Sequence, residues 1–185
     1  MITWIIIIIM TVQTVNQQTN AMMDFRNMSP LKSAYASEST RVSDMEIYNY
    51  LINEKKLDKN KSIGILANIK GESDFRIGVT EKGDATNKGI GLFQFTFPTR
   101  KEGLLKKVPD YKTNWKGQVD YFLSEPEAVS YLKGSFNTAN EAAQFLMEKN
   151  LNPAKTITRN GKIIDLRKER TKKHDEYISK FEKKF

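Results

Sequence analysis

The chain contains no cysteine and a single histidine, His174, among its 185 residues. Disulfide bonds and thiol nucleophiles are therefore excluded, and a zinc cluster or a Ser-His-Asp triad would have to be built around one imidazole. Any catalysis by side chains must then rest on carboxylates. The absence of cysteine does not decide the compartment, because a cysteine-free chain folds in reducing and oxidising surroundings alike.

Long apolar runs are also scarce, and the one that occurs is short. Residues 2–12, ITWIIIIIMTV, are almost wholly apolar. Eleven helical residues reach about 16 Å, whereas the hydrocarbon core of a bilayer is about 30 Å thick. This length is typical of a signal-peptide core, although the basic residues that usually precede such a core are missing. The alternative interpretation is a buried strand. We assign residues 1–20 to a signal-like or membrane-anchor segment, with membrane attachment through residues 2–12.

Acidic residues are outnumbered, and the imbalance is local. The chain has 30 Lys and Arg against 22 Asp and Glu, a formal charge of +8. Residues 155–185 alone hold eleven basic and five acidic residues, a charge of +6. Such a tail favours polyanionic partners such as anionic lipid or an acidic wall polymer. No basic and aromatic module for nucleic acids occurs, so no specific nucleic-acid partner is predicted.

Composition divides the chain into three parts. After the apolar segment, residues 21–42 are polar without periodicity, which predicts a flexible linker. A domain is then expected over residues 43–185, ending in a basic helix. Ser43 and Glu46 have the spacing of a capping box, which predicts a helix from Ser43 to about Lys56.

A second helix is predicted from about Asn60. Its apolar residues cover more than half of its circumference, so it should lie buried in the middle of the domain. These residues are Ile63, Ile65, Leu66, Ala67 and Ile69. Further helices are expected around Trp115 and after Thr138, which with Glu141 repeats the capping-box spacing.

Glu72 continues the apolar face of the second helix, three positions after Ile69, where Ser73 and Asp74 indicate the end of the helix. Loss of water and the negative end of the helix dipole would both raise the pKa of this carboxyl group. An acid that stays protonated near the working pH can donate its proton to a leaving oxygen. Glu72 is therefore a candidate general acid. The alternative is a helix-end glutamate in water or paired with Lys70.

A segment rich in glycine and aromatic residues follows Glu72. Residues 77–96 are predicted to form a short hairpin or loop, with IGLFQFTF at 90–97 as a β-like return. Gly89 and Gly91 would let backbone approach a ligand closely. Along this stretch an apolar face alternates with a face that offers an amide and a hydroxyl, which are groups suited to a carbohydrate. For the aromatic rings of this stretch, packing in the core is the alternative. The candidate binding residues here are Phe93, Gln94, Phe95 and Thr96.

Two stretches together, ANIKGESDF at 67–75 and GDATNKGIGLFQFT at 83–96, resemble the phage tail lysozyme family of the lysozyme-like superfamily. They resemble goose-type lysozymes and soluble lytic transglycosylases more loosely. The resemblance covers residues 43 to about 150, with a fainter match around Arg167 and Arg170. It implies an α+β, mostly α fold, in which a lysozyme-like domain carries a small β-hairpin beside the catalytic helix.

The resemblance also implies roles for individual residues. Glu72 matches the catalytic acid of the family, and Ser73 completes its Glu-Ser pair. Asp84 matches an acidic position in the loop before the Gly-Leu-Phe-Gln motif, and Gln94 matches the glutamine that lines the cleft. Arg100 matches the arginine that follows this motif. Substrate binding is therefore expected at Ser73, Gln94 and Arg100, beside the aromatic residues named above.

The second carboxylate decides the type of cleavage. In inverting glycosidases it lies about 6.5–9.5 Å from the acid and activates water. Asp84 is the first candidate, with Glu81 behind it and Asp74 third, and a solvated loop acid is the alternative for each. A lytic transglycosylase needs no such group, because a hydroxyl of the substrate replaces water.

The expected function is cleavage of peptidoglycan glycan strands by a muramidase with Glu72 as general acid, in phage-encoded lysis or penetration of the cell wall. A lytic transglycosylase using the same Glu72 is the first alternative, and a non-catalytic wall- or nucleic-acid-binding virion protein is the second. The expected location is extracytoplasmic, in the periplasm or cell wall, with the protein membrane-attached or associated with virion proteins. No cofactor and no metal are implied.

Overall fold

The computed structural model describes residues 40–80, 88–151, 156–159 and 162–184. Two π-helical segments, Tyr50–Glu54 and Met147–Leu151, continue α1 and α6, and two antiparallel strands precede the last helix. The fold is α+β and mostly α, as predicted. Its elements are α1 (Asp44–Asn49), α2 (Lys59–Ser73), α3 (Pro98–Lys107), α4 (Trp115–Leu123), α5 (Ala128–Lys133), α6 (Ala139–Leu146), β1 (Thr156–Arg159), β2 (Lys162–Asp165) and α7 (Leu166–Glu182).

Capping side chains start the helices where the sequence predicts them. Ser43 accepts from the backbone N–H of Met45, and Glu46 accepts from the N–H of Ser43 at 3.1 Å, which forms the predicted capping box of α1. At α6, Thr138 accepts from Glu141 N–H at 3.1 Å. These bonds satisfy amides that no preceding turn can reach.

The helix α2 runs through the middle of the domain, as predicted. Every residue from Ser62 to Ile69 is buried, and α6 and α7 pack against the helix. Gly64 lets α6 come close, because a Cβ at this position would lie 2.8 Å from Tyr131 Oη and 2.9 Å from Ala143 N. Asn68 Nδ2 donates to the carbonyl of Ala143 at 3.0 Å and so joins the two helices.

The last residues of the expected linker belong to the folded unit. Val42 is buried, and its N–H donates to the carbonyl of Phe75 at 3.1 Å. Ile77 N–H donates to the carbonyl of Thr40 at 2.8 Å. The chain from Thr40 to Val42 thus lies along the segment that follows α2. The rest of the expected linker and the expected anchor segment lie outside the described residues.

The β-like return expected at 90–97 is wrong. Residues 91–94 form a turn, with only isolated bridges, Thr80 to Ile90 and Ile90 to Phe95, on either side within the described part of this segment. The positive φ angles of Gly91 (73°) and Gln94 (48°) reverse the chain, which breaks the alternation that an extended strand would have. The paired strands are β1 and β2, near the carboxyl end. Asn-Gly at 160–161 is a strong hairpin signal between them.

The basic carboxyl-terminal helix is α7, and one face of it is part of the core. His174, Ile178 and Phe181 recur at helical spacing and are buried. The lysine-rich sequence around His174 predicts an ordinary surface residue in this helix, and this prediction is wrong, since only 4% of the residue is exposed. Gly71 on α2 makes room for it, because a Cβ there would lie 3.3 Å from His174 Nε2.

No helix within the described ranges is both long enough and apolar enough to cross a bilayer. The proposed attachment segment, residues 2–12, lies outside those ranges.

Candidate active site

Glu72 lies in the last turn of α2, and its side chain is 13% exposed. Arg170, in the second turn of α7, donates a hydrogen bond from Nη1 to Glu72 Oε1 and forms an ion pair with it. Lys70, the alternative partner suggested by the sequence, pairs with Asp74. The candidate acid is thus largely shielded from water and held by a guanidinium from the far end of the chain.

The charge of Arg170 acts on the protonation of Glu72. An adjacent guanidinium favours the ionised form of a carboxyl group, whereas burial and the end of the helix dipole favour the protonated form. Only the last two effects follow from the position of Glu72 in the sequence. The raised pKa expected for Glu72 therefore stays a prediction, and the ion pair opposes it.

The backbone turns sharply after Glu72. Asp74 (φ 53°) and Phe75 (φ 60°) are consecutive residues in the left-handed region, a conformation that costs a non-glycine residue about 1–3 kcal/mol. The Phe75 ring packs against Tyr177 of α7. Ser73 is buried and donates to the carbonyl of Ile69 at 3.2 Å. Packing on both sides of Glu72 therefore holds a strained turn in place.

Asp74, the third candidate for the second carboxylate, is bound by cations. It pairs with Lys70 and, at 2.6 Å, with Arg41. Burial alone would raise the pKa of Asp74, but the hydrogen bond from Lys70 and the charge of Arg41 hold it below its ordinary value. Asp74 is thus an ionised carboxylate committed to two partners. Asp84 and Glu81, the first and second candidates, lie outside the described residues.

Gln94 and Thr96 use their side chains inside the 91–94 turn. Gln94 Nε2 donates to the carbonyl of Gly91 at 2.8 Å, and Thr96 Oγ1 donates to the carbonyl of Gln94 at 2.9 Å. A Cβ at Gly89 would lie 2.7 Å from Gln94 Oε1, so glycine is required there for Gln94 to fit. Both side chains are half-buried, which leaves part of each accessible.

Gln118 of α4 joins this turn to the segment that follows Glu72, and the sequence analysis misses it. Its Oε1 accepts from Leu92 N–H at 2.6 Å, while its Nε2 donates to the carbonyls of Ile77 at 2.9 Å and Tyr111 at 2.5 Å. A Cβ at Gly91 would overlap Oε1 of Gln118, which explains why position 91 is a glycine. The feature of the sequence that could have identified Gln118 is its position as a glutamine on the apolar face of a helix.

Phe93 and Phe95 are buried in the core. Phe93 stacks on Phe122 with ring centroids 4.1 Å apart, and Phe95 meets the edge of Tyr121 at 5.3 Å. Stacking on a sugar requires an exposed ring face, and neither ring has one. Their contacts with protein therefore support the packing alternative, in which they hold the turn that carries Gln94.

Arg100 is also held by protein. It forms two hydrogen bonds with Glu125, at 2.6 and 2.5 Å, and the two side chains are 12% and 6% exposed. Its guanidinium lies 5.2 Å from the centroid of the Phe95 ring. This pair joins α3 to the turn between α4 and α5. The structure thus places Arg100 beside the ring of Phe95 and the carboxylate of Glu125.

Within the described ranges, no cluster of three or more His, Asp or Glu residues could hold a metal ion. The arrangement around Glu72 instead combines one shielded carboxylate, one guanidinium and a strained turn. These are groups for proton transfer and charge stabilisation.

Comparison with known proteins identifies one family. A family model described as phage tail lysozyme matches residues 43–160, more than half of the chain. The match includes Glu72, the 91–94 turn and Gln118, and it ends before α7, so that Arg170 lies beyond it. A search of curated proteins finds no significant match.

Proposed function

The chain belongs to the phage tail lysozyme family, and from this premise we propose that it cleaves the glycan strands of peptidoglycan with Glu72 as the general acid. Membership of the family indicates a lysozyme-like function on peptidoglycan. The observation that supports Glu72 in particular is its place in the last turn of the buried central helix, with a side chain that is only 13% exposed. Few carboxylates are buried without a structural or catalytic reason.

The proposed reaction begins with proton transfer. Protonated Glu72 donates its proton to the glycosidic oxygen as the bond between that oxygen and the anomeric carbon breaks, and positive charge develops on the sugar ring. In a muramidase of the inverting type, water attacks the anomeric carbon and gives its proton to the second carboxylate, and Glu72 takes up a proton from solvent before the next turnover. In a lytic transglycosylase, a hydroxyl of the same sugar attacks and an anhydro-sugar results. General acid catalysis of this kind contributes about 10²–10⁴ in rate.

Arg170 has a defined place in this proposal. Its ion pair holds the Glu72 side chain in one orientation and favours the ionised carboxylate before substrate binds. Proton donation then requires that the pair weaken. A substrate that displaces water or contacts Arg170 would favour the protonated form, so that the acid becomes active when the cleft is occupied.

Asp84 is proposed as the second carboxylate of a hydrolase. The support is its match to an acidic position of the family, in a segment that begins and ends with residues bridged to each other, Thr80 and Ile90. Gln94 and Thr96 are proposed to contact substrate through the accessible parts of their side chains. The buried residues Ser73, Phe93 and Phe95 would act by holding Gln94 and Thr96 in position, and so would Arg100, whose side chain is 12% exposed and paired with Glu125.

One assay separates the candidate activities. Purified peptidoglycan is incubated with wild-type protein, Glu72→Gln and the matched control Glu54→Gln, an exposed glutamate far along the chain from the site. Reducing ends and anhydro-sugars are then measured separately. We expect Glu72→Gln to lose at least about 100-fold in rate and the control to match wild type. Full activity of Glu72→Gln would refute the assignment.

The product identifies the reaction class. Reducing ends indicate a muramidase and anhydro-sugars a lytic transglycosylase, which is the first alternative. If wild-type protein binds peptidoglycan and releases neither product, the chain is a non-catalytic wall-binding virion protein. Because the matching family is described as phage tail lysozyme, the proposal includes association with virion proteins or the cell wall and an extracytoplasmic site of action.

A further inference from the structure

A cavity of about 450 Å³ lies between α2 and α7, and the mechanism proposed above does not use it. Four lysines line it, against one acidic residue, Glu176. Lys70 pairs with Asp74, and Lys184 pairs with Asp44 at 3.1 Å. The other two, Lys173 and Lys180, form no ion pair with any residue in the described ranges. The cavity therefore holds two cations whose charge is available to a ligand.

The remaining lining of the cavity is apolar or weakly polar. It includes Ala67 and Gly71 of α2 and the aromatic rings of Tyr177 and Phe181 of α7. A volume of this size falls within the range of about 300–1,000 Å³ that is typical of ligand pockets. The combination favours a ligand that carries negative charge together with small apolar groups, because the ammonium groups attract an anion and the apolar lining is stabilised when it leaves water.

His174 lines the same cavity and has unused hydrogen-bonding capacity. The residue is 4% exposed, and its Nδ1 is buried with no hydrogen-bond partner among the residues that the structure describes. A buried polar atom without a partner costs about 1–3 kcal/mol. Such a group is uncommon in a core, and an ordered water or a polar group of another molecule would satisfy it.

The cavity adjoins the candidate active site along the same two helices. Lys70 and Gly71 directly precede Glu72 on α2, and Lys173 and His174 follow Arg170 by one helical turn on α7. A molecule in the cavity would thus lie beside the Glu72–Arg170 pair. This position suits a group attached to the substrate close to the bond that is cleaved.

We propose that this cavity binds the acidic stem peptide carried by the glycan strand, with peptide carboxylates at Lys173 and Lys180 and alanine side chains against Ala67 and Phe181. The inference rests on the proposed function and names the part of the substrate recognised outside the sugar cleft. A phosphodiester wall polymer would satisfy the lysines, but it carries no side chains to cover the apolar lining. Charge and apolar surface together therefore favour the peptide.

The first test measures binding directly, without catalysis. The acidic peptide Ala-γ-D-Glu-diaminopimelate-D-Ala, with both of its amino groups acetylated, is titrated into the full chain by calorimetry, beside its fully amidated neutral form and poly(glycerol phosphate). We expect the double variant Lys173→Ala/Lys180→Ala to bind the acidic peptide at least about tenfold more weakly than wild type. The control Lys168→Ala/Lys172→Ala removes the same charge from exposed positions of α7 outside the cavity and should bind as wild type does.

Two further results complete the test. Lys173→Arg/Lys180→Arg keeps both charges and should retain binding, which separates lost charge from lost folding. The proposal is overturned if both alanine double variants bind the peptide equally, if the amidated peptide binds as tightly as the acidic one, or if only poly(glycerol phosphate) binds.

A second test separates this inference from the proposed function. Activity is measured on intact peptidoglycan and on glycan strands stripped of peptide. The ratio of the two rates should fall for Lys173→Ala/Lys180→Ala and stay at the wild-type value for Lys168→Ala/Lys172→Ala. If wild type cleaves neither substrate but still binds the peptide through Lys173 and Lys180, the proposed function fails while the peptide site stands. An equal ratio in both variants would refute a role for the site in cleavage.

Discussion

Arg170 of α7 donates a hydrogen bond to Glu72 of α2 across 98 positions of sequence. The pair links the helix that carries the candidate acid to a helix beyond the range matched by the family model, residues 43–160. The guanidinium that favours the ionised form of the candidate acid therefore comes from a part of the chain beyond the matched range. The control of proton transfer in this protein depends on how α7 packs against α2.

Replacing Arg170 by methionine should shift the pH dependence of peptidoglycan cleavage. Without the guanidinium, the ionised carboxylate of Glu72 loses its nearest positive charge, so the protonated acid persists to higher pH. We expect the alkaline limb of the rate profile to move up by about 1–3 pH units, and Arg170→Lys to move it less. Lys172→Met on the exposed face of α7 is the control. A variant that only unfolds would lose rate at all pH values without moving the limb.

Gln118→Leu should destabilise the protein and reduce its activity. The substitution leaves Leu92 N–H and the carbonyls of Ile77 and Tyr111 without the partner that each now has. Unmet buried groups cost about 1–3 kcal/mol each, and some regain water, so we expect a loss of about 2–4 kcal/mol in urea unfolding. Gln144→Leu, which breaks an exposed hydrogen bond to Glu148, should change stability by less than about 0.5 kcal/mol. Similar losses in both variants would contradict the role assigned to Gln118.

The Arg100–Glu125 pair should behave as a buried ion pair. Arg100→Met leaves the Glu125 carboxylate, which is 6% exposed, without its counter-charge, and we expect a loss of about 3–5 kcal/mol in the free energy of unfolding. The double variant Arg100→Met/Glu125→Leu removes both charges and should recover most of the lost free energy of unfolding. Lys55→Met, which breaks a more exposed pair with Asp120, should cost less than about 1 kcal/mol. If the losses in free energy of unfolding caused by Arg100→Met alone and by Glu125→Leu alone add up in the double variant, the two residues act independently.

His174 should make the protein less stable in mild acid. Burial and then the charge of Arg170 lower its pKa from 6.5 to about 4, while Asp175 opposes this shift. The unfolded chain therefore binds more protons between about pH 4 and pH 6.5, and stability falls as the pH decreases through that window.

The magnitude can be measured by urea unfolding at pH 7 and pH 5. His174 should account for a loss of about 2 kcal/mol between these two values. His174→Gln cannot titrate, so its loss should be smaller by that amount, even if its stability at pH 7 differs from wild type. Equal losses in the two proteins would show that carboxylates, and not His174, cause the acid sensitivity.

Local patterns in the sequence predicted the helices and the position of Glu72 well. Capping at Ser43 and Thr138 depends on residues three positions apart, and the burial of α2 follows from apolar residues that recur within one helix. Such patterns act over one or two turns, so they can be read without knowing the fold. They also placed Glu72 at the end of a buried helix.

Other features were misjudged or missed because they depend on distant partners. The alternation at 90–97 suggested a strand, but Gln118 binds Leu92 N–H and helps to hold a turn there instead. The lone histidine looked like a surface residue, yet Gly71 on another helix makes room for it in the core. A single sequence does not show which side chain will lie opposite another.

By itself, then, the sequence determined a mostly α domain with one acid on the inward end of its central helix, because helix periodicity and capping are local properties. Only the tertiary structure decided which charge meets that acid and which polar groups complete its surroundings. Those contacts join Glu72 to Arg170 and Leu92 to Gln118, pairs far apart along the chain. They exist because packing of the apolar faces brings the helices together, and the charged and amide groups beside those faces then find each other.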